Sequence, residues 1–161
     1  MLNKMLKVND VKIGLARKIS IVLLVGALLV LAGAYFFLQK NQTDVYADTV
    51  ALGRKQFTIE LADTEAKRTQ GLSDRADLHK NSVMLFAFPS SGKECMWMKD
   101  MKFSLDMVWL NQDKKITKIA ENISPDTYPQ AFCGDGAKYV LELNAGVASA
   151  NGLKIGQNLN F

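Results

Sequence analysis

One segment of this chain, from Ile19 to Leu38, runs for 20 residues without a charged side chain. A helix of that length rises by about 30 Å, which matches the hydrocarbon core of a bilayer. Because Lys and Arg concentrate on the cytoplasmic side of membrane spans, the basic residues before it indicate an orientation. We predict a cytoplasmic basic tail over residues 1–18, a transmembrane anchor over residues 19–38 and an extracytoplasmic remainder. The basic residues of the tail are Lys4, Lys7, Lys12, Arg17 and Lys18.

A cleaved signal peptide is the alternative interpretation of this segment. Signal peptides have an apolar core of about 7–15 residues, followed closely by a cleavage site of small residues. Here the core is longer, and Ala47, which ends the candidate site, lies nine residues beyond Leu38. The sequence therefore favours an uncleaved anchor. Both interpretations place the following domain outside the cytoplasmic membrane.

The positive net charge of the chain, +4, belongs to the segment that flanks the membrane. Residues 1–40 hold six basic residues and one acidic residue, which leaves 14 basic and 15 acidic residues for positions 41–161. A nucleic-acid interface needs a basic face on the folded domain itself. We therefore predict no nucleic-acid partner. The predicted partners are the membrane, through residues 19–38, and a small polar ligand or an envelope protein.

The remainder divides into a polar tether, residues 39–48, and one compact domain, residues 49–161. Alternating or continuous apolar residues predict several short strands. A first helix is predicted from Asp63 to Gln70, ended by Gly71, and a second between Asn144 and Gly152. We predict a mainly β (α+β) fold, a small antiparallel β-barrel-like domain with two short helices. The predicted strands are residues 50–52, 57–61, 83–88, 95–98, 105–110, 115–120, 139–143 and 157–161.

Four segments occur in the order and spacing of one known family. They are RTQGLSDR (68–75), VMLFAF (83–88), CMWMKDMKFSLDMVWL (95–110) and AKYVLELNAG (137–146). The chain resembles the prokaryotic family called domain of unknown function 192 over nearly all of residues 50–161. The resemblance implies a compact, mostly β, barrel-like domain that is often exported, and it implies no activity. Ser73 stands where the family usually has Met, and Asp100-Met101 replaces the usual Asn-Thr.

The two cysteines, Cys95 and Cys133, are predicted to form a disulfide, since an even number of cysteines outside the cytoplasm favours pairing. The family resemblance implies the same pairing, because members with the first cysteine often carry the second. Two separate buried thiols are the alternative. A catalytic cysteine is disfavoured, because a thiolate needs nearby activation and the only histidine, His79, lies in a polar loop.

No metal ion and no cofactor are predicted. Met96, Met98 and Met101 with Cys95 offer soft ligands of the kind that hold Cu(I). Methionines in apolar strands more simply fill space in a core, and Met96 and Cys95 would point to opposite faces of one strand. One histidine and two paired cysteines leave too few ligands for zinc.

Six residues within the family pattern are candidates for ligand binding. Asp106 and Glu142 lie between apolar neighbours, and a buried carboxylate must be paired or protonated. One interpretation is a structural ion-pair network; the other is a pocket with Trp97 as an apolar wall and basic groups that hold a polar or anionic ligand. The candidates are Arg68, Arg75, Trp97, Lys99, Asp106 and Glu142.

These observations predict a membrane-anchored, extracytoplasmic binding module that performs no covalent chemistry, so no catalytic residue is assigned. The first alternative is an envelope hydrolase that uses Asp106 and Glu142 as a carboxylate pair. The second is an interaction partner for a membrane protein through the anchor helix.

Overall fold

The computed structural model describes residue 24, residues 26–35 and residues 46–161, and the chain divides into two compact units, residues 1–45 and 46–161. The described residues of the first unit are helical. Among the described residues, no helix has the length and apolar character needed to cross a membrane. The predicted basic tail, the rest of the predicted anchor and most of the predicted tether lie outside the described residues.

The second unit contains one six-stranded mixed sheet. Along the sheet the strand order is β1-β2-β3-β6-β4-β5. The β2–β3 pair is parallel, and the other four neighbouring pairs are antiparallel. The strands are β1 Thr49–Leu52, β2 Lys55–Ala62, β3 Ser82–Trp97, β4 Leu105–Leu110, β5 Ile116–Ile123 and β6 Ala131–Asn144.

The prediction of a mainly β domain with short helices is confirmed, whereas the closed antiparallel barrel is wrong. Within residues 46–161, β1 and β5 stand at the two ends of the strand order, so the sheet is open. The parallel pair arises because the chain between β2 and β3 crosses over through a helix. Parallel strands need such a crossover, whereas a hairpin turn would have made the pair antiparallel.

Residues 46–161 contain two α-helices, α1 at Glu65–Gln70 and α2 at Val147–Ala150, and one 3-10 turn at Pro125–Thr127. The side chain of Thr64, instead of the predicted Asp63, caps α1 by accepting a hydrogen bond from the backbone of Lys67. Gly71 ends α1 with a φ of 50°, as predicted. The cap before α2 is Gly146 and not the predicted Asn144.

Two further strand predictions are corrected. The predicted strands at 83–88 and 95–98 belong to the single strand β3, whose pairing with β6 shifts between Ala87 and Gly92. Pro89 lies within that shift, where a residue that lacks an N–H is tolerated. The predicted strand at 157–161 forms only one bridge, between Asn158 and Lys115.

Alternate residues of the central strands divide the core between the two faces of the sheet. One face packs with Leu72 and Leu78 from the segment after α1, and the other packs with Ala148 of α2. We call them the α1 face and the α2 face. The α1 face holds Met84, Phe86, Met107, Trp109 and Val140; the α2 face holds Val83, Leu85, Val108, Leu110, Leu141 and Leu143.

Candidate functional site

The two carboxylates at the centre of the sheet lie on opposite faces. In the pairing of β4 with β6, Asp106 stands opposite Leu143, and Met107 stands opposite Glu142. Side chains of directly paired residues share a face, so Asp106 belongs to the α2 face and Glu142 to the α1 face. The two acids therefore cannot flank one substrate, and the predicted carboxylate-pair hydrolase is wrong.

Asp106 is fully buried and its carboxylate has two backbone partners. Oδ1 accepts a hydrogen bond from the N–H of Asn122 at 2.8 Å, and Oδ2 accepts one from the N–H of Ala148 at 2.8 Å. Ala148 lies in the first turn of α2, where N–H groups have no partner within the helix. Asp106 thus joins β4 to β5 and to α2, which is a structural role.

Glu142 is also buried, with 4% of its surface exposed, but its carboxyl has no comparable partners. The residues beside it on β3 and β4 are Met84 and Met107. Among the described residues, none is seen to donate a hydrogen bond to the Glu142 carboxyl or to form an ion pair with it. Burial raises the pKa of Glu142 from 4.5 to about 8. At pH 7 the side chain is therefore mainly a neutral acid, which can donate a hydrogen bond as well as accept one.

Glu142 lines a small chamber of about 30 Å³, which we call the Glu142 pocket. That volume suits one small polar group. The C-terminal half of α1 and the turn that follows form one wall, and apolar side chains form much of the rest. The lining residues are Arg68, Thr69, Gln70, Gly71, Leu72, Ser73, Phe86, Met96, Trp97, Met101 and Glu142.

A larger cavity of about 170 Å³ adjoins the Glu142 pocket, and we call it the aromatic pocket. Phe88 and Cys95 line only the aromatic pocket. The two cavities share five lining residues, so together they form a small chamber that opens beside a wider apolar one. The shared residues are Arg68, Thr69, Phe86, Met96 and Trp97.

Arg68 is held in place at the boundary between the two pockets. Its Nη1 donates to the carbonyl of Asp63 at 2.6 Å and to the carbonyl of Ala87 at 2.9 Å. The guanidinium also lies 5.6 Å from the centre of the Phe88 ring. Within residues 46–161, no carboxylate forms an ion pair with Arg68; the two ion pairs found there involve other basic residues. Its charge is therefore positioned by neutral groups.

The other wall of the aromatic pocket contains Trp97, which is 57% exposed. Trp97 ends β3, two residues after Cys95, and faces Ala131 in the pairing with β6. Cys95 and Cys133 are directly paired across these strands and form a disulfide, which confirms the predicted pairing. The disulfide joins β3 and β6 beside the aromatic pocket.

Arg75 and Lys99, the remaining sequence-predicted site residues, do not line the Glu142 pocket. Nη1 of Arg75 forms a partly exposed ion pair with Oε2 of Glu60 at 2.5 Å, beside a separate cavity of about 250 Å³. The Lys99 side chain is exposed and lines none of the three cavities. The structure thus brings together Arg68, Trp97 and Glu142, and the predicted pairing of basic residues with Asp106 and Glu142 is not seen among the described residues.

The sequence interpretation did not assign the loop residues that complete the Glu142 pocket. Ser73 donates from Oγ to the Lys99 carbonyl at 2.9 Å, and the N–H of Asp74 donates to the Asp100 carbonyl at 2.9 Å. These bonds join the turn after α1 to the turn after β3. Ser73 and Met101 both line the pocket, and both lie where the chain departs from the family pattern. These departures from the family pattern were the sequence feature that could have identified the two turns as part of the pocket.

Asp100 shows why one departure leaves the backbone unchanged. Its φ is 55°, in the left-handed region. Asn and Asp tolerate that region better than other residues with side chains, because their short polar groups bond locally. Asp100 can therefore replace the usual Asn without altering the turn.

Comparison with known proteins identifies the class. The family model of DUF192, described as "Uncharacterized ACR", matches residues 48–161, and the chain belongs to this family. No curated protein matches the chain.

Two solved structures share the fold. A Novosphingobium aromaticivorans protein of unknown function is 29% identical, with a TM-score of 0.65, over 70% of this chain and 82% of that one. A Sinorhizobium meliloti protein described as a "putative transcription regulator" is 30% identical, with a TM-score of 0.64, over 73% of this chain and 97% of that one.

Proposed function

We propose that this DUF192 protein is a membrane-anchored, extracytoplasmic binding module that holds a small ligand beside Glu142 without covalent chemistry. One observation carries the proposal: a buried acid without a hydrogen-bond donor faces a pocket. Among the described residues, no fully enclosed side-chain oxygen or nitrogen lacks a hydrogen-bond partner, so the Glu142 carboxyl, which receives none from the protein, is accessible from the pocket and not sealed in the core. A fold keeps such a group at low cost when a ligand or solvent supplies the missing partner.

Binding without catalysis is favoured by what surrounds Glu142. Asp106, the other buried carboxylate, is on the opposite face and is bonded to backbone N–H groups. Both cysteines are consumed in the disulfide, and His79 accepts a hydrogen bond from the Asn81 N–H in a loop. A covalent mechanism needs a nucleophile and a base within hydrogen-bond reach of each other. The groups beside Glu142 instead offer a charge, a neutral acid and apolar walls.

The proposed location rests on the apolar segment of residues 19–38 and on the disulfide, since disulfides persist in oxidising compartments. In a bacterial host, the full chain should resist extraction from membranes by carbonate. Protease added to intact spheroplasts should release the domain by cutting near residues 39–48. Protection of the domain until the membrane is permeabilised would overturn the proposed orientation.

The description of the Sinorhizobium meliloti relative would suggest a regulatory role that involves DNA. Residues 46–161 contain 14 basic and 14 acidic residues and so are neutral overall. Binding to duplex DNA depends on basic residues that neutralise phosphates. The charge of the domain therefore favours a small-ligand site over a nucleic-acid interface.

The proposed site is tested with a library of neutral, anionic and cationic fragments, using ligand-observed NMR on the full chain in lipid nanodiscs. Thr69 is an exposed residue of α1 that lines both pockets, so Thr69→Trp should block them. Ala66, exposed on the same helix, lines none of the three cavities, and Ala66→Trp is the matched control. We expect fragments that bind wild type and Ala66→Trp but not Thr69→Trp. If no fragment distinguishes Thr69→Trp from wild type, the proposed site is wrong.

A further inference from the structure

The two adjoining pockets differ in chemistry, and the difference bears on the class of ligand. The Glu142 pocket has room for about one polar group and presents the carboxyl of Glu142. The aromatic pocket, at about 170 Å³, is lined by Phe86, Phe88, Met96 and Trp97. An apolar cavity of about 150 Å³ is enough to bind benzene. The volumes therefore suit a ligand with a small polar head and an apolar body of about the size of a phenyl ring.

The charge at the junction of the pockets selects among polar heads. Arg68 lines both pockets. Its Nη1 donates to two backbone carbonyls, so the other N–H groups of the guanidinium remain able to donate to a ligand. Burial raises the pKa of Glu94, and the charge of Arg68 opposes that rise; the pKa of Asp63 is lowered by its hydrogen bond with Lys67 and, to a smaller extent, by Arg68. Neither acid lines either pocket. Arg68 therefore supplies one positive charge, which attracts an anion and repels an ammonium group.

From this arrangement we infer that the site takes a small monocarboxylate with an apolar or aromatic body. The carboxylate lies between Arg68 and the Glu142 carboxyl, and the body lies between Phe86 and Trp97. Arg68 supplies the charge, and Glu142 in its acid form donates a hydrogen bond to a carboxylate oxygen. Such a charge-assisted hydrogen bond is stronger than one between neutral groups. The inference rests on the proposed function, because it names the ligand class of the same site.

The inference requires Glu142 to keep its proton in the presence of the anion. The groups that face it from β3 and β4 are Met84 and Met107, and Arg68 is the charged residue that shares its pocket. Burial already raises the pKa of Glu142 to about 8, and a bound anion raises it further. Above that pH an ionised Glu142 repels the carboxylate. Affinity for the anion should therefore fall by about tenfold between pH 7 and pH 9, as the protonated fraction falls.

The test compares phenylacetate, 2-phenylethanol and phenethylamine, which share a phenyl body and differ in the charge of the head. The full chain in nanodiscs is labelled with ¹⁵N-tryptophan, which gives indole signals from Trp97 and Trp109. Trp97 is exposed beside the site, whereas Trp109 is buried and donates to the Glu94 carbonyl, so its signal is an internal reference. All titrations are read from the Trp97 signal, and we expect phenylacetate to have a dissociation constant at least tenfold lower than that of either analogue.

Two variants test the assigned roles. Arg68→Gln should weaken phenylacetate binding by about tenfold or more, because it removes the charge. Glu142→Gln should bind phenylacetate at pH 7, since the amide also donates a hydrogen bond, and its affinity should no longer fall between pH 7 and pH 9. Persistence of the pH dependence in Glu142→Gln would show that another group causes it and would overturn the role of Glu142.

The outcomes separate the ligand class from the site itself. The monocarboxylate would be overturned, and the proposed site would stand, if phenethylamine or 2-phenylethanol bound more tightly than phenylacetate. The same conclusion would follow if phenylacetate did not bind while other fragments bound wild type but not Thr69→Trp. If Thr69→Trp abolished the binding of no fragment, both the monocarboxylate and the proposed site would be overturned. Tight binding of phenylacetate with the expected pH profile would support both.

Discussion

The two faces of the sheet accommodate a buried acidic side chain in opposite ways. Each face buries one acid near the centre of the sheet, Asp106 on the α2 face and Glu142 on the α1 face. Asp106 receives two backbone N–H groups at 2.8 Å. Burial raises the pKa of Glu142 to about 8. The difference shows that burial alone does not define a site; the partners of the buried group decide whether it is structural or available.

The two buried acids cannot be told apart from the sequence pattern alone. Both acids lie between apolar residues in strands, as Leu105-Asp106-Met107 and Leu141-Glu142-Leu143. Only the register of β4 against β6 assigns them to different faces.

Replacing Asp106 with Ala should destabilise the protein most. The change leaves the N–H groups of Asn122 and Ala148 without their acceptor, and hydrogen bonds to charged groups contribute about 1.5–3 kcal/mol each. We expect a loss of about 3–5 kcal/mol in the free energy of unfolding, measured by urea denaturation. Asp113→Ala, at an exposed acid in a turn, is the control and should change stability by less than about 0.5 kcal/mol. Equal effects at the two positions would refute the structural role of Asp106.

Removing the disulfide should have the next largest effect and should act beside the aromatic pocket. Cys95 and Cys133 are separated by 38 residues. On the chain-entropy model, a loop of that size stabilises the fold by about 3–4 kcal/mol. The double variant Cys95→Ala/Cys133→Ala should lose that amount in denaturant unfolding, and wild type should lose it on reduction. A reductant that also destabilised the double variant would show a cause other than the disulfide.

Replacing Glu142 with Gln should stabilise the protein as the pH rises, in contrast to Asp106→Ala. The pKa of Glu142 is raised on folding from 4.5 to about 8, so its burial costs nothing below pH 4.5 and costs progressively more up to pH 8. At 1.36 kcal/mol per pH unit the cost at pH 7 has an upper limit of about 3 kcal/mol. We expect Glu142→Gln to be more stable than wild type by about 2 kcal/mol at pH 7 and equally stable at pH 4. A variant less stable than wild type at both values would contradict the unpaired carboxyl.

Breaking the Arg75–Glu60 ion pair should have the smallest effect. Its side chains are 41% and 33% exposed, and solvent screens such a pair. Exposed ion pairs contribute about 0–1 kcal/mol. Arg75→Gln should therefore lower the free energy of unfolding by less than about 1 kcal/mol, and phenylacetate should still shift the Trp97 signal. Loss of that shift would extend the site to the cavity that Arg75 lines.

Local patterns in the sequence predicted much of the secondary structure. The alternation of Phe57, Ile59 and Leu61 predicted β2, and Gly71 predicted the end of α1. Closure of the sheet was not predictable in the same way. Whether β1 meets β5 depends on pairings between distant segments, and no local period encodes them. The crossover through α1, which made the β2–β3 pair parallel, has the same origin.

The site was predicted in part, for a related reason. Residue type and apolar neighbours singled out Arg68, Trp97 and Glu142, and the structure gathers these three around adjoining pockets. Asp106 also lies between apolar residues, but it has a structural role, because its carboxylate bonds to backbone N–H groups of β5 and α2. The walls formed by Thr69 and Ser73 depend on how α1 packs against β3, which no spacing in the chain reveals.

The most direct measurement is the titration of Glu142 by ¹³C NMR of the side-chain carboxyl, assigned by comparison with Glu142→Gln. A midpoint near pH 8, shifted upward by phenylacetate, is the expected result, because the carboxyl is buried without a donor and shares its pocket with the ligand. A midpoint near pH 4.5 would mean that the carboxyl is solvated or paired, and it would contradict the assignment of Glu142 as the centre of the site.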